Sequence, residues 1–126
     1  MNNGYLLDTN ILIYLSKGDE KILKMLANLK QEWFFISIIS HFEFLNGHKD
    51  LKHFKELEGI LMELAPVEMN CEVSKRAALM DRETGKKLKF KDLLIAATAQ
   101  VEKLTLVTAD KDFKKIKGLK VKLVQL

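Results

Sequence analysis

Cysteine and proline are nearly absent: the 126 residues hold one of each. With Cys71 alone, no internal disulfide can form, and a reducing cytoplasm is the expected compartment. Long apolar runs are missing too. None approaches the roughly 20 residues of a membrane-spanning helix, so no membrane role is expected. The opening Met1-Asn2-Asn3-Gly4 has no cationic flank and no cleavage-site pattern, so no secretory signal is expected. Gly/Ser linkers, low-complexity segments and internal repeats are also lacking. The length suits one domain over residues 1–126. What is present is 48% hydrophobic and 30% charged residues, the composition of a soluble globular chain. Lys and Arg number 21 against 17 Asp and Glu, a net charge of +4. Such a surface suits an anionic partner such as nucleic acid, and solubility alone explains it equally well.

Apolar periodicity divides the chain into alternating strands and helices. Tyr5 to Leu7 reads as a short strand, apolar on both faces and therefore central. A helix follows from about Asn10 to Ser16, a break at Gly18-Asp19, and a second helix from Glu20 to Leu29. Trp33 to Ser37 reads as a strand, and Ser40 to Asn46 as a helix ended by Gly47. Leu51 to Leu64 has helical spacing. Pro66 punctuates, and Val67 to Met69 forms a weak third strand. Cys71 to Thr84 is helical, with Val73, Ala77 and Met80 inward and Gly85 past its end. A Lys-rich loop leads to the apolar helix opened by Asp92. Thr105 to Thr108 is a strand, Asp110 to Ile116 a short helix, and Leu119 to Val124 an edge strand. The pattern predicts an α/β fold with a central, mostly parallel sheet flanked by helices.

In such sheets the functional crevice lies outside the carboxyl ends of the strands. Asp8 falls at the end of the first strand, and Glu43 in the first turn of the helix after the second. Asp92 opens the most apolar helix, and Asp110 and Asp112 follow the strand ending at Thr108. Each has a purely structural reading. Asp8 and Asp92 can cap helices, Ser40-His41-Phe42-Glu43 fits a capping box, and Asp110 and Asp112 suit a loop or cap. Together, however, four carboxylate-bearing junctions at one sheet end repel one another unless a cation neutralises them. Oxygen ligands select Mg²⁺ or Mn²⁺ over Zn²⁺. His41, His48 and His53 lack metal-ligand spacing and read as exposed or locally bonded. Cys71 reads as a small buried hydrophobe. The Gly and terminal Glu of an EF-hand are missing around Asp110-Lys111-Asp112. Carboxylate-held metal is the apparatus of phosphodiester hydrolysis. Thr9, Asn10, Ser40 and Thr108 would add neutral hydrogen bonds that orient ligands or water, although Asn10 and Ser40 also fit ordinary helix starts.

The motifs that carry these acids resemble those of PIN-domain ribonucleases. They are Leu6-Leu7-Asp8-Thr9-Asn10-Ile11-Leu12-Ile13, Ile36-Ser37-Ile38-Ile39-Ser40 with Glu43 and Gly47, Asp92-Leu93-Leu94-Ile95-Ala96-Ala97-Thr98-Ala99, and Leu106-Val107-Thr108-Ala109-Asp110-Lys111-Asp112-Phe113. They occur in the family order and cover essentially the whole chain. The length is most similar to VapC-type toxins of toxin–antitoxin pairs. The resemblance implies a parallel sheet flanked by helices, Mg²⁺- or Mn²⁺-dependent endoribonuclease activity, a homodimer, and neutralisation by a cognate VapB-type antitoxin. It makes Asp8, Glu43, Asp92 and Asp110 the catalytic metal ligands, Asp112 a further ligand, and Thr9, Asn10 and Thr108 their support. One departure stands out. Asp112 follows Asp110 by only two residues, so either of the two is a candidate to reach the metal, and Asp112 is alternatively a cap.

The implied reaction is attack of metal-activated water on an RNA phosphate, leaving 5′-phosphate and 3′-hydroxyl ends. Lys86, Lys87, Lys89 and Lys91 would track the RNA backbone, or form a solvated loop. Two rival functions remain. One is an aspartate-based phosphotransfer enzyme, which the Asn10 and Asn2-Asn3 positions disfavour. The other is a catalytically silent PIN-like module that binds RNA or protein. Ile11, Leu12, Tyr14, Leu15 and Leu26 offer apolar surface either to a dimer or to the chain's own core.

Overall fold

Leu6 and Leu7 are adjacent, their side chains leave opposite faces of a strand, and both are completely buried. A strand permits this only when both faces of its sheet are covered. The computed structural model, which describes residues 4–29, 33–47 and 51–125, shows such a sandwich. Its elements are β1 (Gly4–Leu7), α1 (Thr9–Ser16), α2 (Glu20–Asn28), β2 (Trp33–Ser37), α3 (Ile38–Asn46), α4 (Leu51–Leu61), β3 (Ala65–Val67), α5 (Cys71–Glu83), α6 (Phe90–Val101), β4 (Thr105–Thr108), a 3-10 segment (Lys111–Lys115) and β5 (Val121–Leu123).

All strand pairings are parallel, in the order β3-β2-β1-β4-β5, with Leu6 beside Phe35 and Leu106, and Leu7 beside Val107. The chain builds outward from β1 in one direction through β2 and β3. It then returns to the other side of β1 with β4 and continues to β5. The order of connection therefore reverses between β1 and β4, and the crevice beyond their carboxyl ends is the place where such sheets bind ligands.

Two apolar layers follow from the alternation along the strands. Leu6 and Leu106 pack with Val73, Ala77 and Met80 of α5 and the apolar face of α6. Leu7 and Val107 pack with Ile36 of β2 and with Ile11, Leu12, Ile22, Phe44, Leu57 and Leu61 from the helices α1 to α4. Ile11 and Leu12 thus belong to the core, and Tyr14, Leu15 and Leu26 pack against it, which is the internal alternative for these residues. Every residue from Leu93 to Ala99 is buried. Such a helix must be enclosed on all sides, and its alanines let α5 and the sheet approach closely.

Several boundaries differ from expectation. α3 begins at Ile38, because the buried hydroxyl of Ser37 caps it by accepting the Ser40 N–H at 3.0 Å. Ser40 is therefore inside the helix and the expected capping box does not form. Pro66 lies within β3 rather than before it, which an edge strand tolerates because one row of its backbone groups is unpaired. α4 ends at Leu61, short of Leu64. Cys71 is exposed, not buried. It is the first residue of α5, and the inward positions Val73, Ala77 and Met80 fall on a different side of the helix. Gly85 does end α5 as expected. It adopts φ +69°, its N–H reaches the Arg82 carbonyl at 3.2 Å, and the Lys86 N–H reaches the Asp81 carbonyl at 2.9 Å. This paired closure needs a left-handed residue, which glycine supplies without a steric penalty.

Leu6 touches the layer that seats α6, so its truncation tests the sandwich directly. Leu6→Ala is expected to lower the unfolding free energy by about 2–5 kcal/mol, measured by urea denaturation. An effect within about 0.5 kcal/mol, the range of ordinary surface substitutions, would contradict the two-sided burial.

Candidate active site

The crevice between β1 and β4 receives its first acid where β1 ends. The Asp8 N–H continues the ladder to the Val107 carbonyl at 2.9 Å. Its side chain is only 5% exposed. One carboxylate oxygen accepts the Thr9 N–H at 2.8 Å, and the other accepts the Thr108 hydroxyl at 2.7 Å. Desolvation raises the Asp8 pKa above its ordinary value. The two hydrogen bonds oppose that rise, while the charges of Asp110 and Glu43 reinforce it.

Thr108 ends β4 and is fully buried. Its hydroxyl proton goes to Asp8, and its oxygen accepts the Asp110 N–H at 3.1 Å. Asp110 in turn caps the 3-10 segment by accepting the Asp112 N–H at 2.9 Å. Asp112 is turned elsewhere: its exposed carboxylate pairs with Lys115 at 3.2 Å. Between the two candidates, Asp110 shares the electrostatic field of Asp8 and Asp92, and Asp112 serves as a surface ion-pair partner.

Glu43 lies one turn deeper in α3 than expected, because the helix starts at Ile38. Its Oε1 is 2.8 Å from the Thr9 hydroxyl, which is also 2.9 Å from the Ser40 hydroxyl. Thr9 has one hydroxyl proton. The carboxylate is the stronger acceptor, so Ser40 completes the set by donating to Thr9. Glu43 Oε2 is held by the Lys91 ammonium at 3.0 Å. Asn10 is exposed, and among the described residues no hydrogen bond ties it to these acids.

Asp92 is the third residue of α6, not its cap; Lys89 occupies the cap position without a side-chain bond. The Asp92 pKa is raised to about 6, first by desolvation and then by the charges of Asp8, Asp110 and Glu43, with Lys89 opposing. The four expected acids therefore act on one another, as members of one crevice. Among the described residues, however, no three His, Cys, Asp or Glu side chains are arranged so as to hold a metal ion where they stand. The donor chemistry fits a hard divalent cation, since every ligand atom offered is oxygen. The present side-chain positions leave the carboxylates of Asp8, Glu43 and Asp110 committed to Thr9, Thr108, Lys91 and backbone N–H groups.

Of the Lys-rich loop, Lys86 pairs with Asp81 at 3.5 Å, Lys87 and Lys89 are exposed, and Lys91 faces Glu43. The Lys91–Glu43 pair was not apparent from sequence; its only trace is a lysine one residue before Asp92. His41 is half-buried, while His48 and the side chain of His53 lie outside the described residues.

The raised pKa of Asp92 has a consequence for stability. Its folded-state pKa of about 6 exceeds the ordinary 3.8, so the folded chain holds this proton more tightly than the unfolded chain. The associated stability is full below 3.8 and is lost as pH rises through about 6. Without divalent ions, unfolding free energy should fall by on the order of 1–2 kcal/mol from this group between those limits, allowing for its partial exposure. Asp92→Asn should remove that part of the slope in urea denaturation. An identical pH profile in the variant would refute the assignment.

The family model described as the PIN domain matches residues 5–119. No curated protein matches the chain. Among solved structures, the chain is similar to VapBC2 from Rickettsia felis bound to a DNA fragment from their promoter. Identity there is 27% and the TM-score 0.85, over 96% of this chain and 98% of that one. It is similar to a toxin–antitoxin complex from Klebsiella pneumoniae at 31% identity and TM-score 0.80, covering 92% and 95% of the two chains. DNA-bound VapBC from Salmonella typhimurium shares the fold at 23% identity and TM-score 0.83, covering 97% and 98%. The family match begins in β1 and takes in all four acids before it stops just short of β5: the chain belongs to the PIN domain family.

Proposed function

We propose that this chain is a Mg²⁺- or Mn²⁺-dependent endoribonuclease of the VapC type, the toxin of a toxin–antitoxin pair. The observation that carries the reading is the gathering of Asp8, Glu43, Asp92 and Asp110 at the β1–β4 switch point, where burial and the neighbouring acids raise the proton affinity of Asp8 and Asp92. At Asp92 the charge of Lys89 offsets this rise only in part. Family membership supports a nuclease role in general, and the toxin–antitoxin complex from Klebsiella pneumoniae supports an antitoxin as partner.

On this reading Asp8, Glu43, Asp92 and Asp110 would hold the ion, with Asp112 outside its immediate set. A bound divalent ion would acidify a water and stabilise charge on the scissile phosphate. The protein's own groups prepare this. Thr108 fixes Asp8, Thr9 and Ser40 fix Glu43, and Glu43 completes the acidic set or helps deprotonate the attacking water. Water then attacks the RNA phosphorus and the 3′ oxygen leaves, giving 5′-phosphate and 3′-hydroxyl ends. Lys86, Lys87 and Lys89, exposed in the segment that leads into α6, would supply positive charge for the RNA backbone. A homodimer in the cytoplasm completes the proposal. Among the described residues, no helix is long and apolar enough to cross a membrane.

A second reading has one observation in its favour. No three described His, Cys, Asp or Glu side chains converge on a metal position as they stand, as in a PIN-like module that binds RNA or protein without cutting. The two readings separate in one assay. The purified chain should cleave RNA with Mg²⁺ or Mn²⁺ and stop with a chelator. Asp8→Asn should slow cleavage by at least about 100-fold. The fold should stay intact, because Asn keeps the shape of Asp8 and removes a charge from the repelling set. Undiminished cleavage by the folded variant would discard the nuclease assignment at this site.

A further inference from the structure

Lys91 occupies an unusual position. Its ammonium crosses from the first turn of α6 to Glu43 of α3, 3.0 Å from Oε2. The other oxygen of Glu43 is taken by Thr9 at 2.8 Å. Both oxygens of this carboxylate are therefore engaged. One partner is the neutral hydroxyl of half-buried Thr9, held between α1 and α3 by its bonds to Glu43 and Ser40. The other is a cation on a long, mobile side chain that is 60% exposed, against 23% for Glu43. The two partners differ in what a competing cation can displace. The hydroxyl bond costs little to keep when a cation approaches the other oxygen. The ammonium cannot stay at 3.0 Å beside an incoming divalent ion without direct charge repulsion. The lysine stem can swing into solvent, where a strongly hydrated ammonium is well accommodated.

Charge bookkeeping leads the same way. Four carboxylates share the crevice, and Lys91 is the cation in direct contact with one of them among the described residues. It therefore partly performs the task assigned above to a divalent ion. Resting on that metal reading, we propose that Lys91 is a built-in counter-ion for Glu43, which a divalent cation must displace before the acidic set can close around it. Lys91 is a positioning residue on this account. It keeps Glu43 extended and the crevice less repulsive until the ion arrives, and it weakens the site's affinity for that ion. Once released, it is returned to the edge of the crevice, with its charge free for a phosphate. The backbone-tracking role read from the Lys-rich loop therefore belongs to Lys91 only after metal has bound.

The test is calorimetric titration of the full chain with Mn²⁺ at low ionic strength, for wild type, Lys91→Met and Asp8→Asn. Met keeps the apolar stem of the lysine without its charge. Lys91→Met should bind Mn²⁺ about 3–10-fold more tightly than wild type, the size expected for a partly screened pair, and the gain should shrink as salt is added. Equal or weaker binding by Lys91→Met, alongside normal wild-type binding, overturns the counter-ion role and leaves the metal reading standing. Failure of the wild type to bind Mn²⁺, or binding undiminished in Asp8→Asn, overturns both. A second readout needs no variant. The Lys91 side-chain ammonium resonance, followed by NMR, should move toward its free-lysine position on saturation with diamagnetic Mg²⁺. A resonance that stays in place while Mg²⁺ saturates the site would also overturn displacement.

Discussion

The hydrogen bond from Thr108 to Asp8 is the contact on which the crevice depends. It joins the last residue of β4 to the first residue beyond β1, at the one place where the sheet's order of connection reverses. Thr108 is buried, and its hydroxyl both donates and accepts. Its proton goes to Asp8 and its lone pair to the Asp110 N–H. On the other side, the Thr9 N–H holds Asp8 while the Thr9 hydroxyl reaches Glu43. A single series of bonds thus runs from the loop after β4, through the end of β1, into α3. An apolar residue at 108 would leave Asp8 short of a donor in a place water barely reaches, and buried carboxylates tolerate that poorly. The sheet holds the acids at fixed places, and these two threonines keep their carboxylates from swinging away from one another.

Stability and chemistry pull against each other here. Burial and like charge both raise the proton affinity of Asp8 and Asp92, so the fold bears a cost that a neutral crevice would avoid. Sites that destabilise a fold locally are characteristic of function. The compensation is the double apolar layer: Leu6 with Leu106 on one face, Leu7 with Val107 on the other, all fully buried immediately behind the acids. The strands that project Asp8 and Asp110 are the ones most deeply covered.

Sequence made this architecture legible wherever one physical signal dominated. Tyr5 to Leu7 had to be central because it is apolar in consecutive positions, and Leu93 to Ala99 had to be enclosed for the same reason in helical form. Where two signals competed, sequence was less decisive. Ser37 and Ser40 are both good caps, and the β-branched pair Ile38-Ile39 between them has no strong helical preference of its own. The tertiary fold chose Ser37, which moved Glu43 from the first turn into the second. Pro66 reads as a boundary unless its strand is known to lie at the sheet edge, a fact fixed by strand order alone. Cys71 is exposed against expectation, because the usual burial of cysteine says nothing about which face of α5 the first residue occupies. The Lys91–Glu43 pair joins residues 48 positions apart, and no local pattern reports such a contact.

Helix capping, the plain explanation for acids at strand–helix junctions, accounts for only part of the set. Asp8 accepts the Thr9 N–H and Asp110 accepts the Asp112 N–H, so both perform that task. Glu43 does not: Ser37 caps its helix. Asp92 does not either, since Lys89 stands at the cap position of α6. An acid in a helix's first turn is favoured by the helix dipole, which should lower its pKa. The Asp92 pKa is instead raised to about 6, by desolvation first and then by the three neighbouring acids. Local helix energetics therefore explain why Asp8 and Asp110 are carboxylates and leave Glu43 and Asp92 without that reason. Those two come from helices on opposite sides of the sheet, and they are the residues beside which Lys91 and Lys89 stand. An arrangement that spends positive charge on acids with no capping duty is organised around the crevice rather than around its helices.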